Sequence, residues 1–160
     1  MKSVFYDRDA ATEYAHKWAF RRNPEYYNFD NIGGDCTNFV SQCIYAGAGV
    51  MNYTDTFGWY YNSLSDRAPA WSGVEFLYKF LVTNKSVGPY ARHTSQNGLF
   101  IGDIIQLGRE DGTFYHSLIV TETKAEILVT THTYDGLDRP LSSYIYSQIR
   151  FLHIEGVRIW

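Results

Sequence analysis

Residues 33–43 read GGDCTNFVSQC, in which a cysteine directly follows two glycines and an aspartate. Paired glycines predict a sharp turn where the backbone can approach another molecule closely. The residues after the turn predict a helix that starts at or next to Cys36 and runs to about Ala46, where Gly47 and Gly49 end it. A thiol at a helix start lies against free backbone N–H groups, which should lower its pKa. Cys36 is therefore a candidate nucleophile, and a small buried side chain is the alternative interpretation.

The second cysteine, Cys43, follows Cys36 by seven residues. On one helix it would lie about 10.5 Å farther along the axis. A disulfide requires Cα atoms within about 7 Å, so the two thiols cannot pair while the helix holds. Because seven residues are nearly two helical turns, both side chains point to the same side. The spacing predicts Cys36 at the exposed end of that face and Cys43 in the core behind it.

Helical patterns fill the first half of the chain and strand patterns the second. Apolar residues recur with helical spacing over 7–22, and another helix is predicted over 71–82 with Ser72 as its N-cap. Strands are predicted over 103–107, 114–121, 126–133 and 148–154, where β-branched and aromatic residues predominate. Helices followed by antiparallel hairpins predict an α+β fold, in a single domain over residues 1–160.

His116 is the candidate general base, on a strongly strand-forming stretch where it shares a face with Leu118 and Val120. A satisfied core histidine is the alternative. A hairpin that turns at Lys124 would pair residues whose numbers sum to about 248, so His132 would face His116 across the ladder. It could then fix the tautomer of His116 as the third member of a triad, with Asp135 as the second candidate for that role. A one-residue slip in register would send His132 to the other face.

Composition and charge exclude several classes of function. The net charge is −3 and no cluster of basic residues is interleaved with aromatics, so nucleic-acid binding is not expected. No apolar run reaches the roughly 20 residues that span a bilayer, and residues 1–9 lack the apolar core of a signal peptide. We therefore expect no membrane partner and a cytoplasmic location for the chain as written, or a secreted or cell-wall location if a leader was removed.

Aromatic residues make up 18% of the chain, including 14 tyrosines, and several fall in an irregular insertion over 53–71. Flat aromatic faces can pack a core, and they can also line a groove that holds a peptide or a sugar. We take this insertion as a candidate groove wall, with Trp59 and Tyr60 as candidate substrate-binding residues.

Three motifs together resemble the putative amidase domain family. They are the GGDCTNFVSQC block at 33–43, GDIIQL at 102–107 and YHSLIV at 115–120, extended by THT at 131–133, Asp135 and RPLS at 139–142. The resemblance runs from about Tyr6 to Ile154. That family is similar to the bacterial cell-wall peptidases of the NlpC/P60 and CHAP superfamily.

The resemblance implies a papain-like fold, in which a helix that carries the cysteine packs on an antiparallel sheet that carries the histidine. It implies Cys36 as nucleophile, His116 as base and His132 as the polar third residue, without a cofactor. The implied substrate is a peptide or peptidoglycan fragment that is cut at an amide bond. Asp35 matches an acidic residue that can engage a substrate amine, or it could cap the helix.

Three other functions are compatible with these residues. An acyltransferase or transpeptidase would let an amine replace water, and an inactive cell-wall binding module would need no nucleophile at all. A zinc site could be built from Cys36, His116 and His132, which are all zinc ligand types, but the chain has neither a CxxC nor an HExxH spacing. The sequence therefore favours a cysteine-dependent amidase.

Overall fold

A computed structural model describes residues 1–160 and has an α+β fold, as predicted. The helices are α1 (Arg8–Trp18), α2 (Cys36–Ala48), α3 (Pro69–Ser72) and α4 (Val74–Thr83). None of them is long and apolar enough to cross a membrane. The helices precede most of the sheet along the chain, which is the order that the sequence predicts.

Seven strands form one antiparallel sheet, and two more form a separate hairpin. The strands are β1 (Lys2–Val4), β2 (Tyr61–Ser63), β3 (Asp66–Arg67), β4 (Gly88–Thr94), β5 (Ile104–Gly108), β6 (Phe114–Glu122), β7 (Leu128–Thr131), β8 (Gly136–Pro140) and β9 (Gln148–Ile159). The large sheet has the order β1-β9-β5-β6-β7-β8, β4 also pairs with β9, and β2 pairs with β3. Strand β6 therefore lies near the middle of the sheet, where it is covered on both faces.

Helix α2 is the central helix, and it begins at Cys36 as the sequence predicts. It ends at Ala48 because Gly49 adopts a left-handed conformation with φ of 71°, which glycine tolerates without strain. Ten of its residues are buried, since α1 packs on one side and the sheet on the other. Cys43 is fully buried in this core and neither cysteine forms a disulfide, which confirms both predictions for Cys43.

Two apolar clusters stabilise the sheet, one on each face. The larger one joins the helices to the sheet and includes Phe39, Cys43 and Ile119, whereas the smaller one includes Leu107 and Leu118 on the opposite face. Burial of this kind contributes roughly 25 cal/mol per Å² of apolar surface. It therefore fixes the position of α2 on β6, from which the candidate site is built.

Two predicted helices differ from the observed ones. Helix α1 ends at Trp18, four residues before the predicted end at Arg22, and the Trp18 carbonyl accepts a hydrogen bond from Nε2 of His132. The helix predicted over 71–82 is divided between α3 and α4 because Gly73 has an extended conformation, with φ of −109° and ψ of 127°. Ser72 is not an N-cap, since its hydroxyl accepts a hydrogen bond from Nε of Arg67.

The four predicted strands all form, but the sheet is larger than predicted. Strand β9 continues to Ile159, and its second half pairs with β1 and β4, which the sequence patterns did not reveal. Strand β7 is shorter than predicted, because Thr133 and Tyr134 have φ of 63° and 57° and end the pairing. Strand β8, after this turn, was also missed.

Candidate active site

Cys36 occupies the first position of α2, where the helix end meets β6. Its side chain is 6% exposed, whereas Cys43 is 0% exposed. Burial raises the pKa of the Cys36 thiol, and hydrogen bonds from the backbone N–H of Ser117 and from Thr37 oppose that rise only in part. The prediction that the helix start lowers the pKa of Cys36 is therefore wrong, because the pKa is raised. Cys36 is a neutral thiol in the resting structure.

The loop before Cys36 depends on glycine at two positions. Gly33 and Gly34 have φ of 80° and 96°, a region that side chains with a Cβ rarely adopt. A Cβ on Gly34 would lie only 2.8 Å from Oγ1 of Thr133. The same hydroxyl accepts a hydrogen bond from the backbone N–H of Asp35 at 3.0 Å. The turn after β7 therefore holds the loop that leads into the nucleophile.

His116 lies on β6, directly before the residue whose N–H approaches the Cys36 sulfur. It is 8% exposed, and its ring lies near the rings of Tyr115 and Tyr144, with centroids 6.3 and 6.2 Å apart. Burial lowers the pKa of His116 to about 4, so the imidazole is neutral at physiological pH. No hydrogen bond joins Cys36 to His116, and burial alone accounts for the lowered pKa of His116.

The predicted contact between His116 and His132 is wrong. Strands β6 and β7 pair Ile119 with Thr130 and Val120 with Val129, so paired residue numbers sum to 249 rather than 248, and a bulge follows toward the turn. His132 also lies beyond the end of β7. This is the one-residue slip that removes His132 from the side of His116. No hydrogen bond contributes to the pKa of His116, which is lowered by burial alone.

His132 instead forms a buried pair with Asp35. Its Nδ1 lies 2.6 Å from a carboxylate oxygen of Asp35, and its Nε2 lies 2.8 Å from the Trp18 carbonyl oxygen. The Trp18 carbonyl can only accept, so Nε2 of His132 donates to it, and Nδ1 shares a proton with the Asp35 carboxyl group. Its ring stacks on Phe39 with centroids 3.8 Å apart, which holds the imidazole plane in place.

The buried side chain of Asp35 holds the loop before Cys36, which we call the nucleophile loop (residues 29–35), against the rest of the protein. Its carboxylate is 1% exposed and accepts hydrogen bonds from the backbone N–H of Phe29 at 2.8 Å and the amide of Asn38 at 2.9 Å, in addition to His132. It does not cap α2 through its side chain. Because both oxygens are occupied and no surface is open, the predicted contact with a substrate amine has no support in this geometry.

Asp135, the second candidate for the third triad position, does not reach His116 either. Both of its oxygens accept hydrogen bonds from the guanidinium of Arg22, at 2.9 and 3.1 Å. Arg22 also donates to Asp30, and its Nε lies 3.7 Å from Asp35. This network connects the end of α1, the nucleophile loop and the turn after β7, and it fixes their relative positions.

The aromatic insertion forms core rather than a groove at the thiol. Trp59 is 0% exposed, packs against Trp71 with centroids 4.9 Å apart, and donates its indole N–H to the Ser41 hydroxyl. It cannot bind substrate, so that prediction is wrong. Tyr60 is partly exposed and packs on Tyr53, which lines a cavity that does not include Cys36.

The sequence patterns did not identify Ser117 and Gln106 as buried polar residues near Cys36. The Ser117 hydroxyl lies 3.0 Å from the Thr37 hydroxyl, and the amide of Gln106 donates to Ser117 at 3.1 Å. Alternation along β6 places Ser117 on the opposite face from Leu118. A small polar residue next to His116, on the face that α2 covers, was the signal that could have identified Ser117. No group of three His, Cys, Asp or Glu side chains is arranged to hold a metal ion.

The comparisons with known proteins agree with the motifs. The family model described as a putative amidase domain matches residues 5–154. YhbB, an uncharacterized protein of Bacillus subtilis (strain 168), is 35% identical over 136 residues, which cover 82% of this chain and 42% of that protein. The chain thus spans less than half the length of this relative. No solved structure matches the chain.

Proposed function

The chain belongs to the putative amidase domain family, and from that premise we propose that it is a cysteine hydrolase that cuts an amide bond through a thioester on Cys36. The observation that carries the proposal is the position of Cys36: a slightly exposed thiol at the start of α2, beside the strand residue that follows His116. We further propose that one papain-like domain over residues 1–160 contains this activity.

The protonation states favour general-base catalysis over a preformed ion pair. Since burial raises the pKa of Cys36 and lowers that of His116 to about 4, both groups are neutral at rest. As the sulfur attacks the amide carbonyl, the thiol proton passes to the imidazole. The C–N bond then breaks, His116 gives its proton to the leaving amine, and a thioester remains on Cys36.

Water completes the cycle. His116 takes a proton from the attacking water, the carbon–sulfur bond breaks, and the proton returns to the sulfur as the carboxylic acid leaves. The N–H groups at the start of α2 are suitable donors for the oxyanion in both halves of the reaction. His116 needs no contact with His132 in this scheme, and the third triad residue of the wider superfamily has no equivalent among the observed hydrogen bonds.

We propose bacterial cell-wall peptidoglycan as the substrate. The choice of substrate rests on the resemblance to NlpC/P60 and CHAP peptidases, whose relationship to this chain stays a prediction. A protein that acts there would be exported or attached to a longer exported chain. Transpeptidation on the same Cys–His pair is the second candidate, because a thioester reacts with amines as well as with water.

Digestion of soluble muropeptides, followed by mass spectrometry, tests the proposal. We expect products that have gained one water, a loss of at least about 10³-fold in Cys36→Ala, and retained activity in the matched variant Cys43→Ala. An added amino-acid amide would appear in ligated products if the chain is a transpeptidase. Equal activity in Cys36→Ala would contradict the nucleophile. Binding of muropeptides without any product would support the inactive binding module instead.

A further inference from the structure

A chain of buried hydrogen bonds connects the Cys36 sulfur to a cation two strands away on the same face of the sheet. Arg150 on β9 donates from Nε and Nη2 to the side-chain oxygen of Gln106, at 2.8 and 2.6 Å. Gln106 on β5 lies 3.1 Å from the Ser117 hydroxyl, which lies 3.0 Å from the Thr37 hydroxyl. The Thr37 hydroxyl lies 3.7 Å from Sγ of Cys36, a contact distance suited to a large sulfur acceptor.

The chemistry of the two ends fixes the direction of these bonds. A guanidinium can only donate, so the oxygen of Gln106 must face Arg150. The amide nitrogen of Gln106 also donates to the Val74 carbonyl at 3.0 Å, and a carbonyl can only accept. Gln106 is therefore held in one orientation and must donate to Ser117.

The two hydroxyls then have one satisfied arrangement. Ser117 is fully buried and already accepts from Gln106, and Thr37 is the only other partner for its proton. An unpaired buried hydroxyl proton would cost about 1–3 kcal/mol. Ser117 therefore donates to Thr37, and Thr37 donates to the remaining acceptor, the sulfur of Cys36.

The positive end of the relay is itself held in place. The Arg150 guanidinium lies between the rings of Tyr78 and Phe114, 3.6 and 3.8 Å from their centroids, and its Nη2 pairs with Glu75 at 3.0 Å. Its side chain is largely shielded from solvent. Successive hydrogen bonds polarise one another in a low-dielectric interior, so this charge strengthens every donor between it and the sulfur.

We propose that Arg150, Gln106, Ser117 and Thr37 form a one-way donor relay that stabilises negative charge on the Cys36 sulfur. They are positioning residues, because Thr37 is the only one of them whose side chain reaches the sulfur and none contacts the substrate amide. The relay rests on the proposed function for its purpose, since the sulfur gains negative charge when it transfers its proton and again when the thioester is cleaved. It explains how a buried thiol can react although its surroundings raise its pKa.

The test is the pH dependence of iodoacetamide alkylation at Cys36, followed by peptide mass spectrometry. Thr37→Val keeps the shape of the side chain but removes the last donor, so we expect the midpoint to rise by about one pH unit and the rate at pH 8 to fall about tenfold. Thr37→Ser restores a hydroxyl and should restore the wild-type profile. Arg150→Met should shift the midpoint in the same direction by a smaller amount.

Thr121→Val is the matched control, because it also removes a buried threonine hydroxyl from a strand that packs on α2, and it lies outside the relay. Circular dichroism verifies that each variant is folded, and Ser117→Ala replaces Thr37→Val if that protein does not fold. The charged and titratable groups around Cys36 stay unchanged in the Thr37 and Ser117 variants: Asp35 at the helix start, His116 on β6, His132 beyond β7 and Arg22 after α1.

The proposal is overturned if the alkylation midpoint of Thr37→Val, or of Ser117→Ala in its place, equals that of the control Thr121→Val. It is also overturned if Arg150→Met has the alkylation midpoint of the wild type. Failure of the relay is distinguishable from failure of the proposed function. Alkylation reports the thiol alone, whereas muropeptide digestion reports the reaction. An unshifted midpoint with intact, Cys36-dependent hydrolysis would remove the relay and keep the amidase.

Discussion

His116 is the residue whose protonation the fold changes most clearly. It lies on β6, and burial alone lowers its pKa to about 4. A pKa of about 4 keeps the imidazole unprotonated and able to accept a proton over most of the pH range, and it also makes His116 a weaker base than a free histidine. The same buried imidazole makes the folded protein less stable in acid.

We predict that His116 makes the protein less stable between pH 6.5 and 4. In this window the unfolded chain protonates the imidazole and the folded chain does not, so unfolding takes up a proton and becomes easier as the pH falls. The free energy of unfolding should decrease by about 3 kcal/mol across the window because of this group. Urea titrations at several pH values should show that part of the decrease vanish in His116→Gln. An equal slope in both proteins would contradict the buried neutral histidine.

His132 has a different role, since it pairs with Asp35 and the Trp18 carbonyl. We predict that His132→Ala lowers the free energy of unfolding by about 3–5 kcal/mol, because it removes one partner of a buried pair and leaves an oxygen of Asp35 without its hydrogen bond. The NMR titration of the His116 ring should nevertheless keep its midpoint. His153→Ala is the control, because His153 also pairs with a buried carboxylate, that of Asp103, but away from Cys36. A shifted His116 midpoint in His132→Ala alone would restore the triad.

At the scale of elements, the loop before α2 and the turn after β7 hold each other. Thr133 supports the Asp35 N–H, and Arg22 binds Asp30 on the loop and Asp135 on the turn. Both segments use left-handed backbone conformations, at Gly33 and Gly34 on one side and at Thr133 and Tyr134 on the other. The position of Cys36 therefore depends on two segments that are about 100 residues apart in the chain.

We predict that alanine at the two glycines has unequal effects. Gly33→Ala introduces only the strain of a positive φ, since no atom lies within 4 Å of the new Cβ, and it should cost about 1 kcal/mol. Gly34→Ala adds a Cβ only 2.8 Å from Oγ1 of Thr133 and disturbs the bond to Asp35. It should destabilise the protein by about 2–3 kcal/mol and reduce amidase activity more than Gly33→Ala does. Equal losses in both variants, measured by urea unfolding, would show that the contact with Thr133 is unimportant.

At the scale of the whole molecule, local patterns predicted the elements and missed their long-range arrangement. The helix start at Cys36, the burial of Cys43 and the four main strands follow from periodicity and glycine positions, and each is confirmed. The register of β7 on β6 does not follow from these patterns, because the hairpin turns farther along the chain than predicted, with Glu122 paired to Leu128, and the bulge beside it corrects only one of the two positions.

Partner choice among polar groups was also beyond the sequence. Asp35 looks like a helix cap because of its position, but tertiary contacts bring Phe29, Asn38 and His132 to its carboxylate. Trp59 looks like a groove residue because it lies in an irregular insertion, but Trp71 and Phe80 enclose it. A linear pattern gives residue type and spacing, whereas burial depends on which distant elements cover the residue.

In the proposed reaction, Cys36 forms a thioester with the acyl part of the substrate. Rapid mixing with muropeptides, an acid quench and proteolysis would allow mass spectrometry to find the acyl group on a peptide. We predict that the acyl group appears on the peptide that contains Cys36 in the wild type and in Cys43→Ala, and that it is absent in Cys36→Ala, which should also release no product. Product release by Cys36→Ala at the wild-type rate, or an acyl group on another residue, would rule out Cys36 as the nucleophile.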